Sequence, residues 1–401
     1  MKTFDEALSY LVSQAKSMQK TETLPIQQAL GKVLAKPVIS GVNVPPHDNS
    51  QMDGYAINLL DLTHEDTFHV SQRIPAGSEP MALELGTVAR IFTGAPIPAE
   101  ANAVIMQEET EQVGDKIKIT AETTRPGQNI RHIGEDIETG HVLFEKGHRL
   151  RSEDLGLIAS IGIAEVNVFQ PLKIATFTTG DELLEPGQAP EKGKIYNANR
   201  YVLAGAVPQL GFELIDLGRV NDTLEDTIEA MKQAAEVGDV VMTTGGVSVG
   251  EEDHIKPAIE SLGKLDMWKV KMKPGKPLAF GDIQGTPFIG LPGNPVSAFA
   301  TFNLFARPYL LRMQGVKEIC ITPVWLEADF DWPKANFRRE FARAKLKVDE
   351  THQKTVVALF PNQGSGVLTS AVWAEGFAVI PEDTTITKGD KVAFYAFNDM
   401  I

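Results

Sequence analysis

Three carboxylates follow predicted β-strands in the second half of the chain. Glu182, Asp222 and Asp253 each come shortly after a strand-like run. Because strands that alternate with helices form a parallel sheet, the loops after these strands are expected to share one edge. Carboxylate oxygens are the ligands that Mg²⁺ prefers. The three residues therefore indicate a magnesium site, with a turn or helix cap as the alternative for each of them.

Two lysines lie close together in a loop stiffened by prolines. Lys273 and Lys276 alternate with Pro274, Gly275 and Pro277 after a further strand-like run. Proline fixes the backbone dihedral φ, so the two ammonium groups are held near each other. A compact oxyanion could bind between them, whereas the alternative is a pair of solvated surface lysines. We favour the anion site because acidic and glycine-rich loops are predicted beside it.

A glycine-rich segment, residues 244–250, follows another predicted strand and permits two interpretations. In the first, Gly245 and Gly246 expose backbone N–H groups that hold a phosphate. In the second, Ser248 lies in a G-x-S-x-G pattern and is the nucleophile of a hydrolase, with His352 as its base. The acidic run that follows places negative charge where an oxyanion hole requires positive potential. The hydrolase interpretation is therefore disfavoured.

The start of a predicted helix supplies the last candidate binding residues. Asn294, Pro295 and Ser297 lie at the start of a predicted closing helix over residues 294–312. Proline is favoured in the first turn of a helix, where free N–H groups and the helix dipole can attract an anion. The alternative is a simple capped turn. The chain contains no Walker A or Rossmann glycine pattern.

The overall charge excludes some classes of partner. The 401 residues include 38 Lys and Arg against 53 Asp and Glu, giving a net charge of -15. Such a surface repels nucleic acid and anionic membranes, so an anionic ligand requires a local cationic pocket. Cys320 is the sole cysteine, which excludes an intramolecular disulfide and a cysteine zinc site. The N-terminus lacks a signal-peptide pattern, and we expect a cytoplasmic protein.

The order of predicted elements places these loops in a central α/β domain. A capping box at Thr3 and Glu6 begins an amphipathic helix, and short β-prone runs separated by Gly and Pro follow over residues 37–171. Strands and helices alternate from residue 172 to about residue 314, which predicts a mostly parallel sheet. Residues 323–397 carry short strands typical of a small barrel or sandwich.

Seven motifs together resemble the MoeA and gephyrin E-domain family of molybdopterin molybdenumtransferases. They occur in the family's order and span nearly the whole chain; they are residues 48–56, 92–98, 131–137, 179–183, 244–250, 273–277 and 291–295. The sequence departs from the family at His254, where an aromatic residue is common. The resemblance implies an elongated β-rich N-terminal half, a central MogA-like α/β domain and a C-terminal β-barrel.

The resemblance also implies domain limits that the periodicity does not show. Residues 1–40 and 136–171 would form an N-terminal linker domain, which residues 41–135 interrupt as a β-rich inserted domain. Residues 172–315 would form the molybdopterin-binding α/β domain and residues 316–401 the barrel.

The activity implied by the resemblance is insertion of molybdate into adenylylated molybdopterin, with magnesium-dependent release of AMP. Glu182, Asp222 and Asp253 would hold magnesium. The catalytic set would be completed by Asp53, Thr93 and Asp136, some of them supplied by the partner in a homodimer. The implied substrate-binding residues are Gly245, Gly246, Ser248, Lys273, Lys276, Pro277, Asn294, Pro295, Ser297, Arg343 and Ser365.

The resemblance leaves the partners and one functional alternative open. It implies contact with an upstream adenylyltransferase and with apo molybdoenzymes. A scaffold protein that binds molybdopterin without catalysis is the second hypothesis, since gephyrin relatives also serve in assembly. Molybdate and tungstate are tetrahedral dianions of similar size, so the sequence does not separate them.

Overall fold

The structure is a computed structural model that describes residues 1–246 and 254–400. The first helix, α1 (Phe4–Ser13), begins with the expected capping box: Glu6 N donates to Thr3 Oγ1, and Thr3 N donates to the Glu6 carboxylate. The Phe4 ring packs 5.0 Å from Phe305 and 4.9 Å from Phe341, between ring centroids. The helix therefore packs against the core of the α/β domain and touches the barrel.

The N-terminal half is rich in β-structure, as expected. Its elements in chain order are β1 (Thr21–Pro25), β2 (Val38–Ile39), β3 (Asn49–Ser50), β4 (Gly54–Ile57), β5 (Thr67–Ile74), β6 (Thr87–Ile91), β7 (Ala103–Met106), β8 (Thr110–Val113), β9 (Lys116–Ile119), β10 (Ile130–Arg131), β11 (Val142–Phe144), α2 (Ser152–Ser160) and β12 (Glu165–Phe169). Strands β4 to β9 form one six-stranded sheet in the order β7-β4-β6-β5-β9-β8. The pairs β1–β12, β2–β11 and β3–β10 are antiparallel. In each pair a strand from the start of this half lies beside a strand from its end.

The central domain begins at residue 173. Its elements are β13 (Lys173–Thr179), β14 (Leu183–Leu184), β15 (Ile195–Tyr196), α3 (Ala198–Gln209), β16 (Glu213–Val220), α4 (Leu224–Val237), β17 (Val240–Thr244), α5 (Ile255–Leu262), β18 (Gly263–Lys269), β19 (Met272–Lys273), β20 (Pro277–Ile283), β21 (Thr286–Leu291), α6 (Pro295–Thr301) and α7 (Arg307–Met313). A π-helical turn, Phe302–Ala306, joins α6 to α7, so the predicted closing helix is confirmed with an irregular centre.

The main sheet of this domain has the order β16-β13-β17-β21-β20-β18. The first four strands are parallel, whereas β20 and β18 are antiparallel to their neighbours. Successive side chains of a strand face opposite sides, so Ile174 enters the core below α3 while Ala175 enters the core below α4 and α5. The sheet is therefore buried on both faces, which explains its apolar strands.

The carboxyl ends of β16, β13, β17 and β21 lie at one edge of the sheet, because these strands are parallel. The start of β20 lies at the same edge, because that strand runs antiparallel to β21. The acidic, glycine-rich and lysine loops of the sequence analysis leave from these strand ends. Their predicted common edge is confirmed.

The C-terminal domain is a closed barrel. Its elements are β22 (Val324–Ala328), β23 (Arg339–Asp349), β24 (Lys354–Leu359), α8 (Leu368–Trp373), β25 (Gly376–Ile380) and β26 (Lys391–Ala396). Pairing runs β23-β24-β22-β26-β25 and returns to β23, so five strands close the barrel. The two-residue strand β19 also pairs with β23, which attaches the lysine loop of the α/β domain to the barrel.

In the part of the chain that the structure describes, no helix is long and apolar enough to cross a membrane.

Arg307 is buried where the closing helix meets the C-terminus. Its Nε donates to the Met400 carbonyl at 2.8 Å, and its terminal nitrogens donate to the carbonyls of Asp399 at 2.9 Å and Ile319 at 3.3 Å. Burial lowers the pKa of Arg307 to about 10. One guanidinium thus fixes both the start and the end of the barrel chain to α7.

We predict that Arg307→Lys destabilises the protein, because an ammonium cannot reach three carbonyls in the planar arrangement of a guanidinium. The expected loss is about 2 kcal/mol, reflecting buried carbonyls left without donors. The thermal unfolding midpoint measures it, with Arg312→Lys on the same helix as the matched control. Equal midpoints for the two variants would contradict the prediction.

Candidate functional site

A cavity of about 760 Å³ lies at the carboxyl edge of the main sheet. Its walls come from the α/β domain and from the barrel, because the loop over residues 363–365 closes one side. The predicted residues that line it in the α/β domain are Glu182, Gly245, Gly246, Lys273, Lys276, Asn294, Pro295 and Ser297. Ser365 lines it from the barrel. Most of the binding residues expected from the sequence are therefore brought together.

Lys273 is held by the barrel through both backbone and side chain. Strand β19 pairs with β23 so that Lys273 lies opposite Glu340, and Lys273 Nζ lies 3.0 Å from Glu340 Oε2. Glu340 is buried, and its other oxygen accepts a hydrogen bond of 2.9 Å from Asn336 Nδ2. The position of Lys273 is consequently fixed, and its charge has a counter-ion. Sequence analysis missed Glu340, because nothing near it in the chain indicates its partner.

The rest of the lysine loop rests on the closing helix. Gly275 has a φ of +101°, and a Cβ there would lie 2.7 Å from Thr301 Cγ2. Only glycine fits this close approach without displacing the helix. Lys276 is exposed on the cavity wall and makes no ion pair with any of residues 1–246 or 254–400. It supplies a positive charge that is available to a ligand.

Of the acidic residues expected to bind a metal, the structure places Glu182 on the cavity wall. The Glu182 carboxylate packs against Gly180, whose φ is +133°. A Cβ on Gly180 would lie 2.5 Å from Glu182 Oε2, so a larger residue at this position would displace the carboxylate. The neighbouring Asp181 is paired with Arg219 at 3.1 Å. Asp222 follows β16 at the same edge but does not line the cavity. Asp253 and Ser248 lie outside the described residues.

Among the described residues, no three His, Cys, Asp or Glu side chains cluster as a metal site. Glu182 nevertheless suits a hard cation, because the residue lines the cavity and its carboxylate forms no ion pair in the described part of the chain. A magnesium site at this edge stays a prediction.

The two glycine-rich loops of the cavity lie next to each other. Gly245 and Gly246 both have positive φ, at +84° and +63°. A Cβ on Gly293 would lie 3.5 Å from Gly245 Cα. Asn199 Nδ2 donates to the Gly293 carbonyl at 2.7 Å and so connects this loop to the first turn of α3. These loops therefore contribute backbone to the cavity wall, but the Gly245 N–H is not available to a ligand because it donates to the Leu291 carbonyl at 3.0 Å.

Arg343 does not line the cavity, contrary to the expected oxyanion pocket. Its side chain is 1% exposed; Nε donates to Ser370 Oγ at 3.0 Å and a terminal nitrogen donates to the Gly364 carbonyl at 3.1 Å. Burial lowers the pKa of Arg343 to about 10. Arg343 thus supports the loop that carries Ser365 through its bond to the Gly364 carbonyl. Its guanidinium is buried in the barrel and does not line the cavity.

The loop that carries Ser365 is also hydrogen-bonded to the α/β domain. Val296 N, in the first turn of α6, donates to the Ser365 carbonyl at 3.0 Å. Gln363 and Arg338 line the cavity beside this loop, and sequence analysis identified neither. The adjacent arginines Arg338 and Arg339, at the start of β23, were the available signal for Arg338.

Asp53 and Thr93 form a separate hydrogen-bonded pair in the N-terminal half. Thr93 N and Thr93 Oγ1 donate to Asp53 Oδ1 at 2.8 and 2.9 Å. These bonds hold the pKa of the Asp53 carboxyl below its ordinary value. Neither residue lines the cavity of the same chain, and Asp136 is exposed elsewhere in that half. Asp53, Thr93 and Asp136 could therefore contribute to a cavity, as the resemblance implies, only if that cavity belongs to a second subunit.

The hydrolase interpretation lacks its base at the cavity. His352 lies in the turn between β23 and β24, where its Nδ1 is 2.9 Å from Asp349 Oδ2. No described histidine lines the cavity. The candidate pair of Ser248 and His352 therefore receives no support from the described residues.

Three family models match consecutive parts of the chain. Residues 2–162 match the MoeA N-terminal region (domain I and II), residues 175–312 match a probable molybdopterin binding domain, and residues 326–397 match the MoeA C-terminal region (domain IV). The matches follow one another in the order of the domains described above.

Relatives match along the whole chain. A molybdopterin molybdenumtransferase of Haemophilus influenzae is 38% identical, over 100% of both chains, and molybdopterin molybdenumtransferase 2 of Mycobacterium tuberculosis is 34% identical over 90% of this chain and 91% of its own. The crystal structure of the molybdopterin biosynthesis moeA protein from Pyrococcus horikoshii OT3 superposes with a TM-score of 0.85 at 30% identity, covering 99% of this chain and 100% of that one.

We predict that Lys273 and Glu340 are energetically coupled. Thermal stabilities of Lys273→Gln, Glu340→Gln and the double variant, compared with the unmodified protein, give the coupling. We expect about 1 kcal/mol, because Lys273 is partly exposed and water screens the pair. Strictly additive effects of the two substitutions would contradict the predicted coupling.

We predict that Thr93→Val reduces stability in a pH-dependent way. The folded-state pKa of Asp53 is lowered, so the stabilisation is present above the ordinary carboxyl pKa and is lost as pH falls through the folded-state pKa. The stability difference from the unmodified protein should therefore be largest near neutral pH and shrink in acid. Denaturation at several pH values measures it, and a difference that does not change with pH would contradict the prediction.

Proposed function

We propose a specific reaction for this chain, which belongs to the MoeA family of molybdopterin molybdenumtransferases. In this reaction the enzyme binds adenylylated molybdopterin and molybdate, releases AMP, and leaves molybdenum on the dithiolene sulfurs of the pterin. The observation that carries the proposal is the cavity at the sheet edge, which is lined by the cations Lys273 and Lys276 from the α/β domain and Arg338 from the barrel. Its volume of about 760 Å³ suits a ligand of this size.

Charge supports the assignment of substrate class. Both substrates are anions, while the chain as a whole has a net charge of -15. Lys273 and Lys276 place two ammonium groups on one short loop of the cavity wall. Charge-assisted hydrogen bonds to oxyanions are shorter and stronger than neutral ones. We infer that the lysine loop binds molybdate and that Ser365 adds a hydroxyl from the barrel side.

The acidic residues supply the part of the site that faces the pyrophosphate. We infer that Glu182, Asp222 and Asp253 would hold magnesium, which when bound neutralises charge on the phosphate oxygens. Glu182 has the free carboxylate that this role requires. The backbone N–H of Gly246 would orient the same phosphates, whereas the Gly245 N–H donates to the Leu291 carbonyl.

The N-terminal half completes the cleft in a homodimer. This half carries the Asp53 carboxylate, whose pKa is lowered by its hydrogen bonds from Thr93, and the exposed carboxylate of Asp136. We propose that these residues face the cavity of the partner subunit, since they do not reach the cavity of their own chain. We further propose a cytoplasmic enzyme that receives its pterin from the upstream adenylyltransferase and delivers cofactor to apo molybdoenzymes.

The test is reconstitution with adenylylated molybdopterin, magnesium and molybdate, followed by AMP release and activation of an apo molybdoenzyme. We predict both signals for the unmodified protein. Lys276→Gln should lower activation roughly tenfold or more, because one charge-assisted contact to molybdate is lost. Lys256→Gln is the matched control, since Lys256 lies on α5 and is exposed away from the cavity.

Each other outcome has a defined meaning. A folded protein that binds molybdopterin but gives neither signal would favour the scaffold hypothesis. AMP release without activation would support the acidic cluster and contradict the oxyanion role of the lysine loop. Equal activities of Lys276→Gln and Lys256→Gln would also contradict that role.

A further inference from the structure

We propose that Arg90 is a positioning residue for Asp53, and that it acts by fixing the turn in which Asp53 meets Thr93. Arg90 lies on β6 directly opposite Tyr55 of β4, between the two segments that carry this pair. Asp53 immediately precedes β4, and Thr93 follows β6 by two residues. The inference deepens the proposed function and rests on it for the part that Asp53 plays in the cleft.

The guanidinium of Arg90 holds the backbone around Asp53. Its Nη1 donates to the carbonyl of Gly54, the next residue in the chain, at 3.0 Å. Its Nη2 donates to Gln107 Oε1 at 2.6 Å, and Gln107 N in turn donates to the Asp53 carbonyl at 3.1 Å. Two consecutive carbonyls are therefore held by one side chain, one directly and one through Gln107.

The same guanidinium packs against the segment that carries Thr93. Its central carbon lies 4.7 Å from the centroid of the Phe92 ring, a distance at which a cation and an aromatic ring attract each other. Phe92 directly precedes Thr93, whose N and Oγ1 donate to Asp53 Oδ1. Arg90 thus contacts a chain neighbour of each member of the pair.

The charge of Arg90 is not used in an ion pair. Among residues 1–246 and 254–400, no carboxylate pairs with it, and its two hydrogen bonds go to neutral groups beside Asp53. After the hydrogen bonds from Thr93, the positive charge of Arg90 also lowers the pKa of the Asp53 carboxyl. Both the donors and the charge of this side chain therefore act on one turn.

Arg73 provides a matched comparison on the neighbouring strand. It lies opposite Arg90 in the β5–β6 register, and its guanidinium carbon lies 4.5 Å from the centroid of the same Phe92 ring. Arg73 is nevertheless exposed and donates no hydrogen bond to any residue that the structure describes. The two arginines share charge and ring contact, so they differ in the bonds to the turn of Asp53.

The first measurement is the titration of Asp53, followed by NMR of the full-length protein labelled at the aspartate carboxyl carbons. Asp53→Asn identifies the signal. We expect the pKa of Asp53 to rise toward its ordinary value in both Arg90→Gln and Arg90→Lys, because a displaced turn weakens the hydrogen bonds from Thr93. Lysine keeps the charge but loses the planar fork, so Arg90→Lys separates geometry from charge. Arg73→Gln should leave the pKa unchanged.

The second measurement is the rate of AMP release from adenylylated molybdopterin at saturating substrate, magnesium and molybdate. We expect Arg90→Gln to lower this rate about tenfold, because catalysis depends steeply on the placement of the groups that take part. In the Asp53→Asn background the same substitution should change the rate by less than about twofold, since no carboxylate is left to position. Arg73→Gln should retain the rate of the unmodified protein.

The contrary outcomes are equally defined. A pKa of Asp53 that is unchanged in both Arg90 variants, or that rises only in Arg90→Gln, overturns the positioning role, the second result because it reflects charge alone. Equal fractional losses of rate with and without the Asp53 carboxylate also overturn it, because they show a general structural effect. If Arg90→Gln does not fold, Arg90→Lys replaces it in both measurements.

The proposed function can fail independently of this inference. If the unmodified protein releases no AMP, the proposed reaction is contradicted, and the titration still decides whether Arg90 positions Asp53.

Discussion

The ion pair between Lys273 and Glu340, together with the short parallel pairing of β19 with β23, joins the two domains that form the cavity. The pair places a cation from the α/β domain against a carboxylate buried in the barrel. Because a buried carboxylate requires a partner, the barrel is constrained to remain where the lysine loop can reach it. Two further contacts support the same arrangement: Val296 N donates to the Ser365 carbonyl, and Phe305 shares an apolar core with Phe341 and Phe377 of the barrel.

The part of the fold that depends on local patterns could be predicted from the sequence. Helices α3 and α4 and the common edge of the parallel strands follow from periodicity, because buried strands and amphipathic helices leave regular apolar spacing. The sequence also shows the capping box of α1, but it does not show that Phe4 of this helix packs against Phe305 and Phe341. Short helices such as α8 leave too few turns for a period to be seen.

The candidate site was predicted where its residues lie in loops and missed where they act across domains. Lys273 and Glu182 stand out in their own segments, while Glu340 has significance only through a residue in another domain. Arg343 matched a family position, yet the barrel encloses its charge. Arg338 lies five residues earlier and lines the cavity, because the strand begins just after it and leaves its side chain outside the barrel core.

The inserted sheet of the N-terminal half has a consequence for modularity. Its chain enters and leaves through one antiparallel pair, in which Ser50 lies opposite Ile130 and Asn49 opposite Arg131. The two ends of the segment between them are therefore adjacent in space. The segment is therefore a closed loop with respect to the rest of the chain, and its internal length does not set the register of the β1–β12 and β2–β11 pairs.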